Sequence, residues 1–241
     1  MKEKECLLKR VSLSGDARSV LKDLVIPPEI LKEQTKGGRV TDVCEKSKEG
    51  RTTYLEVTGV IDPVDSTAPY IGWKILLPGQ WNLRSVQIGG GANNGSVPSL
   101  DGAMLMSNYR PIEHGYVVFG DDSGHQSEDP MSAEFAANEE SLQNYIRQHL
   151  IKMNGVMHAV VKAAYGVDAE KVYFAGGSAG GREALECACS YGKDYDGIFC
   201  ADPVSNFVLL RMWGHCFPRR YMIAMMKRII PILMVLLMKK Q

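Results

Sequence analysis

The chain of 241 residues is 45% hydrophobic and 23% charged, which suits a soluble globular domain long enough to bury a sizeable core. Its 28 basic side chains are balanced by 28 acidic ones, so no broad field draws it to nucleic acid, and nucleic-acid binding is set aside. No apolar leader with a small-residue cleavage site opens the chain, which as written places it in the cytoplasm; the six cysteines form no CxxC pair or zinc spacing, so buried free thiols are expected and no metal or cofactor is implied.

Residues 1–50 are mixed and polar, punctuated by Pro27-Pro28 and Gly37-Gly38, and read as a lead-in of short elements. TTYLEVTGVI after Arg51 and YIGWKILLP from Tyr70 have the alternation of two strands, expected as antiparallel neighbours. Ser85-Val86-Gln87-Ile88 is a short strand feeding a Gly-rich loop, Gly89-Gly90-Gly91-Ala92-Asn93-Asn94-Gly95, in which neither G-x-G-x-x-G nor GK[ST] occurs, so a phosphate loop is disfavoured. Glycines after the third strand of an α/β-hydrolase let the backbone approach substrate and supply an oxyanion N–H.

GYVVFG at 115–120 is a buried strand ending in Asp121-Asp122-Ser123-Gly124-His125. Polar residues there sit where open α/β sheets bind ligands. Loop capping is put ahead of catalysis for the two aspartates, and His125 is kept as a substrate-binding candidate. Asn138 has the character of an N-cap, followed by Leu142, Tyr145, Ile146, Leu150, Met153, Met157, Val160 and Ala164 at steps of three and four, a long amphipathic helix ended by Gly166. His149 and His158 ride on it and are read as solvated or packed rather than as ligands.

Next comes KVYFAGGSAGGREALE, residues 171–186: a strand, a turn of small residues and a helix. Gly176, Ser178 and Gly180 fit G-x-S-x-G, the elbow in which strain lifts a serine hydroxyl above the sheet. A side chain at 176 or 180 would strike packed backbone, and the helix beginning at Ala179 aims free N–H groups where an oxyanion would form. A Gly-rich turn that merely packs helix on strand is the competing interpretation. Gly197-Ile198-Phe199-Cys200-Ala201 then reads as another buried parallel strand ending at Asp202-Pro203. Strands alternate with helices, so the fold class is α/β with a mainly parallel sheet and flanking helices.

GGGANNG, GYVVFGDDSGH, AAYGVDAEKVYFAGGSAGGREAL and YDGIFCADP, in that order over residues 73–213, resemble the tannase and feruloyl esterase family of α/β-hydrolases. The resemblance implies hydrolysis of esters of hydroxylated aromatic acids, a small-molecule aromatic ester as partner, Ser178 as nucleophile, Ala179 as one oxyanion donor, and the loop of Gly90 and Gly91 as the region of the second. Two departures stand out. The family places a cysteine just before the serine, disulfide-bonded to one after the catalytic histidine; here that position is Gly177. Family members are also much longer, and their lid, triad aspartate and triad histidine lie beyond this chain, which is therefore read as truncated.

After Ser178 the only histidine is His215, and nothing acidic follows Asp202. A serine needs a histidine base oriented by a carboxylate, so His215 and Asp202 are entered as catalytic candidates, with coincidence and turn capping as their rivals. From residue 214 the sequence is cationic, rich in Met, Ile and Leu and free of acids; its apolar run at 229–238 is too short for the roughly 20 residues that span a bilayer. The domains expected are a lead-in at 1–50, an incomplete hydrolase core at 51–213 and this tail at 214–241. Two alternatives remain open: a generic serine esterase or peptidase with a compact His215–Asp202 triad, and a non-catalytic α/β module whose tail binds a membrane or partner. Oligomeric state is left unassigned.

Overall fold

A computed structural model describes residues 9–48, 52–102 and 108–206. Residues Met1–Pro203 form one compact unit, and the second unit, Val204–Gln241, is described only over its first three residues. His215 and the tail at 214–241 thus lie outside the described residues.

The strands are β1 (Val11–Ser12), β2 (Val25–Ile26), β3 (Gly38–Lys48), β4 (Thr52–Ile61), β5 (Ile71–Pro78), β6 (Gln80–Trp81), β7 (Arg84–Ile88), β8 (Val117–Asp121), β9 (Lys171–Gly177) and β10 (Gly197–Ala201). The α-helices are α1 (Ala17–Lys22), α2 (Glu139–Gln143), α3 (His149–Tyr165) and α4 (Ala179–Ser190). Eight strands make one mixed sheet in the order β10-β9-β7-β8-β5-β4-β3-β2, while β1 and β6 pair as a small ribbon. The strands β8, β7, β9 and β10 are mutually parallel, and the rest form an antiparallel ladder. β4 and β5 are antiparallel neighbours as expected, in register from Tyr54 opposite Pro78 to Ile61 opposite Ile71. The chain crosses over from β7 to β8 and back to β9, which puts the ends of three parallel strands side by side.

The stretch expected as a lead-in is part of this architecture. β3 runs alongside β4, and Ala17, Leu21, Ile26, Leu31, Val40 and Val43 belong to the main core. A Cβ on Gly155 would lie 2.4 Å from the Ile30 carbonyl oxygen, so the turn at Pro28–Leu31 rests directly on α3 through a residue without a side chain. That core lies on one sheet face, where Trp73, Ile75 and Phe119 meet Leu150, Met153, Val156, Met157 and Val160 of α3. A smaller cluster of Tyr54, Leu76, Val86, Val118 and Ala175 occupies the other face.

The long helix begins at Asn138, whose side chain accepts the Ser141 N–H at 2.9 Å, and ends at Gly166 in a left-handed conformation, φ 74°. Between α2 and α3 it widens into a π-helical turn, Asn144–Gln148. The wide turn resets the phase of the apolar stripe, so Ile146, expected on the core side, is 38% exposed while Leu150 is fully buried. β10 is parallel, as expected, but not fully buried: among the described residues it is an edge strand, and Phe199 is 47% exposed. Of the cysteines, Cys187 is buried, whereas Cys189 and Cys200 are exposed, which corrects the expectation of uniformly buried thiols.

Candidate active site

The apolar run of β9 stops at Gly177, α4 begins at Ala179, and Ser178 between them takes φ 57° and ψ −117°, a backbone state that side chains rarely adopt. Small neighbours make this turn possible. A Cβ on Gly176 would come within 2.2 Å of the Gly180 carbonyl oxygen, and one on Gly180 within 2.8 Å of the Gly90 carbonyl oxygen. The Ser178 N–H is held by the Ala201 carbonyl at 3.1 Å, which ties the turn to β10 and leaves the serine exposed at the sheet's edge of strand ends.

Ser178 opens onto a cavity of about 450 Å³, within the range of small-molecule sites. Gly90, Gly91 and Asp202 line the same cavity, so four of the residues singled out in the sequence converge there. Its apolar wall comes from Ile88, Leu100, Pro111 and Phe199. Ala179, buried at the first position of α4, adjoins Ser178 at the helix start, where N–H groups lack partners within the helix. Asp202 is exposed at φ 43°, and its carboxylate meets no hydrogen-bonding or charged partner among the described residues.

Gly90 does not fit the donor role expected of it. Its N–H donates to Glu183 Oε2 at 3.0 Å, and its carbonyl accepts the Gly180 N–H at 3.0 Å, so both polar groups of this residue are committed to α4. An N–H already bonded to a buried carboxylate is not available to an oxyanion, which leaves Gly91, next in the loop and exposed, as the loop's candidate.

His125 is not brought to the Ser178 cavity. It is 5% exposed, stacks on Phe135 with ring centroids 4.2 Å apart, and lines a separate polar cavity of about 410 Å³ with Gln126, Glu134 and Asn138. Burial lowers its proton affinity below that of an ordinary imidazole. The aspartates before it do cap the loop: Asp121 accepts the Ser123 N–H at 2.8 Å, and Asp122 accepts the Gly72 and Gly124 N–H groups, each at 3.0 Å. Burial, only partly offset by these bonds, raises Asp122 to about 7.

A buried polar cluster lies behind the elbow. Glu183, fully buried on α4, accepts from Asn94 Nδ2 at 2.6 Å as well as from Gly90, and the same Asn94 amide bonds Ser123. His149 Nδ1 is 2.7 Å from Asp121 Oδ1, and its Nε2 lies 3.8 Å from Glu183 Oε1. Burial alone would depress His149, but the Asp121 charge and hydrogen bond, with the Glu183 charge, outweigh it and leave its proton affinity raised. Arg182 reaches the other way, donating to the Tyr145 and Ile146 carbonyls of the π-helical turn at 3.0 and 2.9 Å. Glu183 lies one helical turn before Cys187 on the buried face of α4, and no local sequence pattern marks the cluster it joins.

The sequence profile of the family described as "Tannase and feruloyl esterase" matches residues 55–240. The chain belongs to the tannase and feruloyl esterase family. An uncharacterized esterase of Agrobacterium fabrum is 44% identical over 164 residues, covering 67% of this chain and 30% of that protein. A probable feruloyl esterase B-2 of Aspergillus flavus is 28% identical over 144 residues, covering 60% and 26%. The chain thus spans less than a third of the length of these relatives. Among solved structures, feruloyl esterase B from Aspergillus oryzae superposes with a TM-score of 0.64 at 19% identity, over 82% of this chain and 40% of that one. Tannin acyl hydrolase from Aspergillus niger gives 0.60 at 19% identity, over 83% and 39%. These two superpositions identify the fold, an α/β-hydrolase sheet with flanking helices. No helix among the described residues is long and apolar enough to cross a membrane.

Proposed function

We propose that the protein is a serine carboxylic-ester hydrolase acting on esters of hydroxylated aromatic acids. The observation that carries this reading is the strained Ser178 at the head of α4, opening onto a cavity with an apolar wall suited to an aromatic ring. Family membership and the esterase names of the relatives support it.

In the reaction, Ser178 Oγ adds to the ester carbonyl carbon as its proton passes to a base. The oxyanion is received by the N–H groups of Ala179 and Gly91. The bond to the alcohol oxygen then breaks, the alcohol takes the proton, and water repeats the sequence on the acyl-serine to release the acid and restore Ser178. His149 is buried, bonded through Nδ1 to Asp121, and does not line the Ser178 cavity, so the base is to be sought outside the described residues, where His215 is the only histidine after Ser178. His215 stands 37 residues beyond the serine. Asp202 in the Ser178 cavity favours, as a second reading, a compact triad with His215.

A fluorophosphonate serine probe followed by mass mapping tests this. An adduct on Ser178 that Ser178→Ala abolishes is the expected result, and a folded chain that takes up no probe at Ser178 overturns the reading.

A further inference from the structure

The loop after β7 could not hold its shape by itself. It carries three consecutive glycines, Gly89, Gly90 and Gly91, and two non-glycine residues with positive φ, Ala92 at 54° and Asn94 at 62°. Such a segment has large conformational entropy to lose. What fixes it is a carboxylate reaching from α4. Glu183 accepts Gly90 N–H with Oε2 and Asn94 Nδ2 with Oε1, binding the loop at two points four residues apart, while Gly180 N–H bonds back to the Gly90 carbonyl. Glu183 is entirely buried, where a carboxylate is costly unless hydrogen-bonded and paired. Its charge is faced by His149 Nε2 at 3.8 Å and Arg182 Nη2 at 3.7 Å. An apolar residue would satisfy packing there but would leave Gly90 N–H, and the Asn94 amide hydrogen not bonded to Ser123, unpaired in the interior.

We propose that Glu183 is a positioning residue of the active site, clipping the glycine loop to the elbow helix so that the Gly91 and Ala179 N–H groups keep the separation that one oxyanion requires. The role rests on the reading of Ser178 as nucleophile, but the clip itself can be measured without any reaction. Glu183 touches no substrate; it acts through Gly90 and Asn94. A carboxylate suits the position because both of its oxygens only accept, matching two N–H donors, and charge-assisted bonds are the stronger kind. Asn94 Oδ1 is buried with no hydrogen-bond partner, so a glutamine at 183 could keep Gly90 through its oxygen and recover Asn94 by a flip of the Asn94 amide.

Hydrogen exchange by mass spectrometry on the full chain, together with the rate of fluorophosphonate labelling of Ser178, tests the proposal. In Glu183→Ala, exchange in peptides covering residues 88–95 is expected to rise at least tenfold, with α3 and β8 peptides unchanged, and labelling to fall about a hundredfold. Glu183→Gln is expected to recover most of both. Unchanged exchange at 88–95 in Glu183→Ala overturns the clip. So does a rise spread equally over α3 and β8, which would make Glu183 a general core residue. A local rise with an unaltered labelling rate overturns the positioning role. Should Glu183→Ala fail to fold, Asn94→Gly, which keeps the positive φ and deletes the amide, is expected to raise exchange severalfold at 88–95, and no rise overturns the clip. A wild-type chain that resists labelling while Glu183→Ala shows the local rise overturns the nucleophile reading and supports the clip.

Discussion

Asp121, the last residue of β8, and His149, the first residue of α3, meet at 2.7 Å through Oδ1 and Nδ1 in the interior of the protein. A histidine oriented by an aspartate has the form of a catalytic pair, yet its second nitrogen faces the Glu183 carboxylate and makes no hydrogen bond. When protonated, His149 pairs with Asp121 and faces Glu183, so that its charge lets the two carboxylates coexist in the core. Removing one member of such a pair leaves uncompensated charge in low dielectric.

His149→Ala is therefore expected to cost about 3–5 kcal/mol, read from chemical denaturation at pH 6. Asp121→Asn should cost less, because an amide still accepts the Ser123 N–H that Asp121 caps.

The pH dependence has a definite sign. Asp122 is raised from 3.8 to about 7, so the fold holds its proton more tightly than the unfolded chain does, and the stability this contributes is lost as pH rises from about 4 to about 7. His149, also raised, loses its contribution above its ordinary range, from about 6.5 upward. His125 and His158, lowered by burial, act in the opposite sense, so the Asp122 contribution is read by difference: the melting temperature of Asp122→Asn minus that of the wild type is expected to rise between pH 5 and pH 7.5, and a difference independent of pH would contradict the assignment.

Strain at Ser178 separates stability from reactivity. Ser178→Ala and Ser178→Gly both delete the hydroxyl and should both abolish probe labelling. Only glycine relaxes φ 57°, and after its own entropy cost it is expected to stabilise by about 1 kcal/mol relative to alanine in thermal melts.

Gly176→Ala forces a Cβ to 2.2 Å from the Gly180 carbonyl oxygen, backbone that cannot yield without moving α4. A cost of about 2 kcal/mol or more is expected by calorimetry, with loss of Ser178 labelling. Gly91→Ala meets nothing within 4 Å and should fold with unchanged stability.

Asp202→Asn distinguishes a compact triad from a spectator carboxylate. Asp202 has no partner among the described residues, and labelling is expected to change less than about threefold; a fall of about 10⁴ would make Asp202 the acid that orients the base.

The elbow was legible because its signal is local: glycines two residues on either side of a serine, where a strand pattern gives way to a helix pattern. The same holds for β4, β5, β7, β8 and the cap at Asn138. β3 was missed for a physical reason. Its ladder with β4 is irregular between Val40 and Asp42, so the buried Val40 and Val43, three residues apart, break the period of two that marks a strand. The Ile146 position failed similarly, because a π-helical turn carries no apolar period of its own. The Glu183 cluster draws on β8, α3, α4 and the loop after β7, residues up to 93 apart in the chain, and no local pattern reports such a meeting. The loop of Gly90 lines the Ser178 cavity, but the Gly90 N–H could be seen as already bonded only once α4 stood beside it.

Gly90 is bonded to α4 through both its N–H and its carbonyl, which has a bearing on heat inactivation. A loop hinged at one end could drift away while the helix stayed folded, and reactivity would fade gradually. Bonded on both sides, loop and helix separate only by giving up several buried bonds together, so Ser178 should retain full reactivity up to the temperature at which this unit opens and then lose it in a single step.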